Sequence, residues 1–117
     1  MLIFKELTFD SAHYLPHLPE GHKCRDLHGH TYKLRIWLNG KPNELGWVMD
    51  FSELKRTLEP VIDQLDHKVL NNVEGLSNPT CELLAVWIWD NLKPQLSLLH
   101  RVELYETPTS GVVYEGE

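Results

Sequence analysis

The sequence has little cysteine and lacks long apolar stretches. Its two cysteines, Cys24 and Cys81, are too few for a disulfide framework, although a bridge between them stays open at this stage. No stretch approaches the roughly 20 apolar residues that a membrane helix needs. A secretory signal is not recognisable either, because Lys5 and Glu6 interrupt the first apolar residues. We therefore expect a cytoplasmic protein with no membrane association, in which a disulfide is disfavoured.

Positive charge is also scarce. The chain has 11 Lys and Arg residues against 17 Asp and Glu residues, which gives a net charge of −6. General nucleic-acid binding is thereby disfavoured, because it depends on the neutralisation of phosphates. A small anionic substrate stays compatible if cations gather locally, and the candidates are Lys23, Arg25, Lys33 and Arg35. Linkers, repeats and low-complexity segments are absent, so residues 1–117 are predicted to form a single domain.

Four segments have the alternation or the composition of β-strands. The first is rich in apolar residues over 2–9 and leads into residues 10–13, and the second alternates over 28–38. A third segment alternates over 101–106, and a short fourth covers 112–114.

Two helices are predicted between these pairs of strands. Asp50 and Glu53 form a capping-box pattern at the start of the first helix, in which Pro60 is expected to cause a bend or a break. Pro79-Thr80 opens the second helix, which ends at Lys93-Pro94. The order ββααββ predicts an α+β fold with both helices on one face of a four-stranded antiparallel sheet. Exposed strand edges favour association through that sheet.

Two histidines open the second predicted strand. His28 and His30 are two residues apart, so their side chains lie on the same face of an extended chain. If the first two strands pair antiparallel, His13 at the end of the first lies beside them. Three neutral imidazoles bind zinc well and leave its fourth position for water or substrate, as in a catalytic site. The alternative is that these histidines cap the strands and form no metal site.

Four other side chains could take part in chemistry. Asp66 and His67 follow the first helix, where a carboxylate could orient an imidazole for proton transfer; an ordinary charged loop is the alternative. Glu106 ends the apolar face of the third strand, and it could form a salt bridge or bind a ligand with two adjacent N–H groups. Cys24, with three residues between it and His28, could bind the metal or remain a thiol close to it.

Five short motifs follow one another along the chain: Phe9-x-x-Ala12-His13, Cys24-x3-His28-Gly29-His30, Leu65-Asp66-His67, Asn78-Pro79-Thr80-x-Glu82 and Tyr105-Glu106-Thr107. Together they resemble the 6-pyruvoyl-tetrahydropterin synthase family. Within that family, the short chain and the run from Pro16 to Cys24 are most similar to the bacterial 6-carboxy-tetrahydropterin synthase branch. The resemblance extends over nearly the whole chain.

The resemblance implies a tunnelling fold, in which the sheets of three subunits join into a barrel and two trimers stack into a hexamer. It also implies a reaction: 7,8-dihydroneopterin triphosphate becomes 6-carboxy-tetrahydropterin with loss of triphosphate and acetaldehyde, on the route to queuosine and other deazapurines. The implied roles are zinc binding by His13, His28 and His30, proton transfer by Cys24 with the partner pair Asp66 and His67, and anchoring of the pterin ring by Glu106.

Three other functions stay open. A 6-pyruvoyl-tetrahydropterin synthase could use the same groups on the same substrate. A non-catalytic zinc- or pterin-binding module is disfavoured by Cys24, Asp66 and His67, because a binding protein needs no proton relay. A zinc hydrolase could use the three histidines with bound water. Asp26, preceded by Arg25, departs from the basic or amide residue that relatives often carry there, so the residues that bind the triphosphate stay unassigned.

Overall fold

A four-stranded antiparallel sheet forms the centre of the computed structural model, which describes residues 1–117. Each strand pairs with the next one along the chain, so the spatial order is the sequence order. The first strand continues to residue 13 because residues 10–13 pair with the start of the second strand. The strands are β1 (Leu2–His13), β2 (His28–Asn39), β3 (Leu99–Thr107) and β4 (Ser110–Tyr114).

The two predicted helices are present as α1 (Phe51–Asp63) and α2 (Cys81–Leu92). The side chain of Asp50 caps α1 by accepting a hydrogen bond from the Ser52 backbone N–H at 2.9 Å. The predicted break at Pro60 does not occur, since α1 continues through it. Pro60 lies on the exposed side of the helix, so water can satisfy the carbonyl group that its missing N–H leaves free.

Both helices cover the same face of the sheet, which confirms the predicted α+β architecture. The even-numbered side chains of β2 from Tyr32 to Leu38 are fully buried on this face. They belong to a core of 21 buried residues that also includes Leu58 of α1 and Ile88 of α2. Burial of this apolar area is the main favourable contribution to folding. None of the helices is long and apolar enough to span a membrane.

The opposite face of the sheet, here called the outer face, carries charged and aromatic side chains without a covering layer. Arg35 lies 2.7 Å from Glu6 on β1 and 3.6 Å from Glu103 on β3. Beside this row, Trp37 packs against Phe4 with a ring separation of 4.7 Å. The buried Trp37 Nε1 and Arg101 Nε have no hydrogen-bond partner.

The sheet opens at the end that carries the histidines. Strands β1 and β2 remain paired as far as His13 and His28, whereas the pairing of β2 with β3 ends at Lys33 and Tyr105. A segment after α1 packs along the free edge of β1, where the Ala12 N–H donates to the Lys68 carbonyl at 3.0 Å. The end of β1 is therefore held on both sides, and the space between β2 and β3 is left open.

Candidate active site

The three histidines predicted to bind a metal meet at this open end of the sheet. His13 and His28 are direct cross-strand partners, and His30 follows on the same face of β2. One ring nitrogen from each residue lies within 4.8 Å of the other two. The Nε2 atoms of His13 and His28 are 3.0 Å apart. The predicted antiparallel pairing therefore brings together residues that lie far apart in the sequence.

Two carbonyl groups fix the protonation of these rings. His13 Nδ1 is 2.8 Å from the Pro79 carbonyl oxygen, and His28 Nδ1 is 2.7 Å from the Asp26 carbonyl oxygen. A carbonyl only accepts, so each Nδ1 carries the hydrogen and each Nε2 presents a lone pair. The two lone pairs face each other at 3.0 Å, which is favourable only with a proton or a metal cation between them.

Burial favours the metal over the proton. Desolvation lowers the pKa of His13 and also that of His30, which is the less buried of the two. Both rings therefore tend to stay neutral. Neutral imidazole nitrogens whose other N–H is held by an acceptor are the usual ligands of zinc. The buried Tyr32 hydroxyl also lies 3.4 Å from His13 Nδ1. These residues fit a metal ion with nitrogen ligands.

Glu106 lies directly beside the histidines. Its Oε1 atom is 3.6 Å from His13 Nε2 and 3.7 Å from His30 Nε2. The residue follows Tyr105, the last position of β3 that pairs with β2, so it lies where the two strands have parted. A cavity of about 480 Å³ opens in this gap and is lined by Glu106, His30, Lys33 and Tyr105 among others. A volume of this size accommodates a small-molecule ligand.

Asp66 and His67 form a hydrogen-bonded pair at the edge of β1. His67 Nδ1 is 3.0 Å from Asp66 Oδ1, and the same oxygen accepts the Asp10 N–H at 2.9 Å. The Asp10 N–H and the neighbouring His67 together hold the pKa of Asp66 below its usual value. The backbone N–H of His67, whose φ is 58°, donates to the Asp10 carbonyl at 2.6 Å. A second cavity, of about 520 Å³, is lined by both His67 and His30.

Cys24 lies apart from these groups. It is in a short 3₁₀ turn, Lys23–Arg25, within the segment that joins β1 to β2. Its sulfur is not among the atoms that group around the histidines, and it lines neither of the two cavities. The disulfide left open by the sequence is not formed, since Cys24 and Cys81 are both free thiols. Cys81 is buried in the core, which raises its pKa to about 12.

Comparison with known proteins connects this arrangement to a family. The sequence model of 6-pyruvoyl tetrahydropterin synthase matches residues 2–117. The chain belongs to the 6-pyruvoyl tetrahydropterin synthase family. Its fold is the tunnelling fold of that family: the structure of the Caenorhabditis elegans 6-pyruvoyl tetrahydropterin synthase superposes with a TM-score of 0.92 and 28% identity, and the match covers 100% of this chain and 96% of that one.

Several relatives are similar to this chain over most of their length. A 6-carboxy-5,6,7,8-tetrahydropterin synthase from Synechocystis is 45% identical over 97% of this chain and 92% of its own. A dihydroneopterin monophosphate aldolase from Pyrococcus furiosus is 34% identical over 97% and 96%. A 6-pyruvoyl tetrahydrobiopterin synthase from Dictyostelium discoideum is 42% identical over 81% and 75%. Membership of this family gives the chain a pterin-processing function.

The structure adds residues to this family site that sequence reasoning missed. The carbonyl groups of Pro79 and Asp26 orient two histidines, but a backbone acceptor has no signature in a sequence. Tyr32 could have been found, because it continues the even-numbered face of His28 and His30. Asp10 fixes the Asp66–His67 pair through its backbone N–H and carbonyl, so the type of residue at this position again gives no indication of the role.

Proposed function

We propose that the chain is a zinc-dependent carbon–carbon lyase. It converts 7,8-dihydroneopterin triphosphate to 6-carboxy-5,6,7,8-tetrahydropterin, releases acetaldehyde and triphosphate, and serves the biosynthesis of queuosine and related deazapurines. The observation that carries this proposal is the approach of Glu106 Oε1 to within 3.6 and 3.7 Å of two histidine nitrogens. At this distance, the carboxylate can bind the ring of a small molecule while the metal ligands act on the same molecule.

The metal ligands in this proposal are His13, His28 and His30. Zinc bound by them would polarise the oxygens of the substrate side chain as a Lewis acid. The facing lone pairs of His13 and His28 support a cation at this point, and the carbonyl groups that hold their Nδ1 atoms keep both rings in the required tautomer.

Glu106 anchors the pterin. An ionised carboxylate offers two acceptor oxygens, which match the adjacent N–H groups of the pterin ring and its amino group. Its closeness to His13 and His30 places a ring bound by Glu106 next to the metal ligands, within reach of the ring's side chain. The cavity lined by Glu106 also contains Lys33, which is the cation best located to meet an anionic group of the substrate. Arg35 is less available, because it pairs with Glu6 and Glu103.

Cys24, Asp66 and His67 move the protons. His67 donates from Nδ1 to Asp66, so its Nε2 is left to accept or release a proton of the substrate. Cys24 acts as a thiol that exchanges a proton with the side-chain carbon or oxygen atoms. Within one chain Cys24 lines neither of the two cavities that His30 lines, so we propose that the assembly of chains brings the thiol and His67 to one substrate.

We also propose a homohexamer formed as a dimer of trimers, in which residues 1–117 are one domain and the sheets join through their edges into a barrel. The edge strands β1 and β4 of the open four-stranded sheet support this assembly, because an unpaired strand edge readily pairs with another chain. Light scattering coupled to gel filtration measures the mass; a monomer at micromolar concentration would contradict the hexamer. A cytoplasmic location is part of the same proposal.

The deciding experiment is mass spectrometry of the products formed from dihydroneopterin triphosphate. A carboxy-pterin with acetaldehyde supports the proposal. A pyruvoyl-pterin would instead assign the chain to the function named for its Dictyostelium relative. Absence of any pterin product from protein with a full complement of zinc would contradict both. The Cys24→Ala variant is the control, because it leaves the three metal ligands unchanged and should retain the fold.

A further inference from the structure

The turn that carries Cys24 begins with a histidine. His22 immediately precedes the 3₁₀ turn Lys23–Arg25 and has an extended backbone, with φ −73° and ψ 129°. Its ring nitrogen Nδ1 accepts a hydrogen bond from the backbone N–H of Cys24 at 3.1 Å. His22 therefore caps the turn, and the amide that it binds belongs to the proposed proton-transferring residue.

This contact requires a particular form of the ring. A ring nitrogen accepts only when it carries a lone pair, so His22 is neutral with its hydrogen on Nε2. The usual capping residues are Ser, Thr, Asp and Asn, whose short side chains reach an N–H two or three residues ahead. The Nδ1 of His is bonded to Cγ, as is the Oδ1 of Asn, so it reaches the same N–H.

The other hydrogen bonds around Cys24 come from the backbone or from Arg25. The Cys24 carbonyl accepts the Leu15 N–H at 3.1 Å, the Arg25 N–H donates to the His22 carbonyl at 3.0 Å, and Arg25 Nη1 donates to the Leu18 carbonyl at 2.8 Å. The Cys24 N–H, in contrast to the Cys24 carbonyl and the Arg25 N–H, has a side chain as its partner. The His22 ring forms no ion pair and does not join the grouped metal-binding side chains.

We propose that His22 is a positioning residue for Cys24. Its neutral imidazole fixes the backbone of the turn at residue 24 and with it the direction of the thiol, while His22 itself touches neither substrate nor metal. This inference rests on the proposed function of Cys24 in proton transfer.

The test compares three substitutions of one residue. His22→Ala removes the acceptor, His22→Gln moves it one bond too far, and His22→Asn restores an acceptor at the correct distance. We expect the Ala and Gln variants to lose about tenfold in kcat, the cost of a lost cap, with KM and zinc content unchanged. The Asn variant should recover to within about threefold of the wild type. His17→Ala, at another exposed histidine of the same segment, should behave as the wild type.

Hydrogen exchange of the Cys24 backbone amide provides a readout that does not depend on turnover. We expect faster exchange in the Ala and Gln variants and protection in the wild type and the Asn variant. Equal exchange in all four proteins, or an Asn variant as slow in turnover as the Gln variant, would overturn the role of His22. The Cys24→Ala variant separates the two hypotheses. If it keeps wild-type turnover, the proposed function of Cys24 fails, and this inference fails with it. If Cys24→Ala is inactive while His22→Ala is fully active, only the inference is refuted.

Discussion

His13 and His28 are direct cross-strand partners whose Nε2 atoms lie 3.0 Å apart with both lone pairs facing the same point. Rotation of either ring would break a hydrogen bond, because the Pro79 carbonyl holds Nδ1 of His13 and the Asp26 carbonyl holds Nδ1 of His28. The pair is thus arranged for a cation before any cation binds. Such preorganisation reduces the free energy that binding must spend on ordering the ligands.

Zinc binding should require all three histidines. Replacing His13, His28 or His30 by Ala removes one metal ligand. Loss of a group that only hydrogen-bonds to a ligand lowers metal affinity roughly 10–100-fold, so we expect zinc affinity to fall by more than that. Metal analysis after equilibration with limiting zinc measures this effect. His100→Ala is the matched control, since His100 pairs with Glu115 instead. Full zinc occupancy in His13→Ala would remove this residue from the site.

Glu106→Gln should weaken pterin binding while leaving zinc content unchanged. The amide replaces one acceptor by a donor and removes the charge, which costs about 1.5–3 kcal/mol per charged hydrogen bond and raises Kd roughly 10- to 150-fold. Calorimetry with a dihydropterin measures the affinity. The exposed Glu44→Gln should bind like the wild type. An unaltered Kd in Glu106→Gln would make Glu106 a structural residue.

Cys24→Ala should keep zinc and the folded structure but lose turnover by roughly 10²–10⁴-fold, the range for one proton-transfer group. Product formation and metal content are measured on the same sample. Cys81→Ala is the control, because it removes a thiol that is buried in the core, and it should retain turnover. Zinc loss equal to that of a histidine variant would identify Cys24 as a metal ligand, and wild-type turnover would exclude it from the chemistry.

The stability of the metal-free protein should depend on pH through the buried His13 and the half-buried His30. Burial lowers the pKa of His13 and His30 below the ordinary value of 6.5. As the pH falls through that value, the unfolded chain takes up protons that the folded chain does not, so the free energy of unfolding decreases until the lower folded-state pKa is passed.

Urea titrations of metal-free protein between about pH 8 and pH 5 test this dependence. The wild type should lose stability over this interval, and His13→Asn should show a smaller slope because one titrating group is gone. The His100→Asn control should keep the wild-type slope. A stability that is constant or rises toward acid would show that burial does not hold these rings neutral.

Much of the fold follows from residue patterns of short range. Alternation in β2 places Tyr32, Leu34, Ile36 and Leu38 on one face, and all four are buried there. The predicted starts of both helices also agree with the structure. Asp50 and Thr80 cap the helices through contacts with residues only two or three positions ahead, so the signal is local. Pro60 is the exception, since the effect of a proline depends on whether its free carbonyl reaches water, and that is a matter of tertiary packing.

The sequence by itself determined which residue types stand at the site: three histidines with strand spacing, an adjacent Asp66-His67 pair and a carboxylate at the end of an apolar strand face. The tertiary structure alone decided how they meet. Register between β1 and β2 sets the 3.0 Å contact of His13 and His28, the parting of β2 from β3 brings Glu106 to the same point, and the turn at residues 23–25 keeps Cys24 away from it. These relations depend on hydrogen bonds between backbone groups that are distant in the chain. Every residue carries a backbone C=O, and every residue except proline an N–H, so no local pattern of residue types encodes which of them pair.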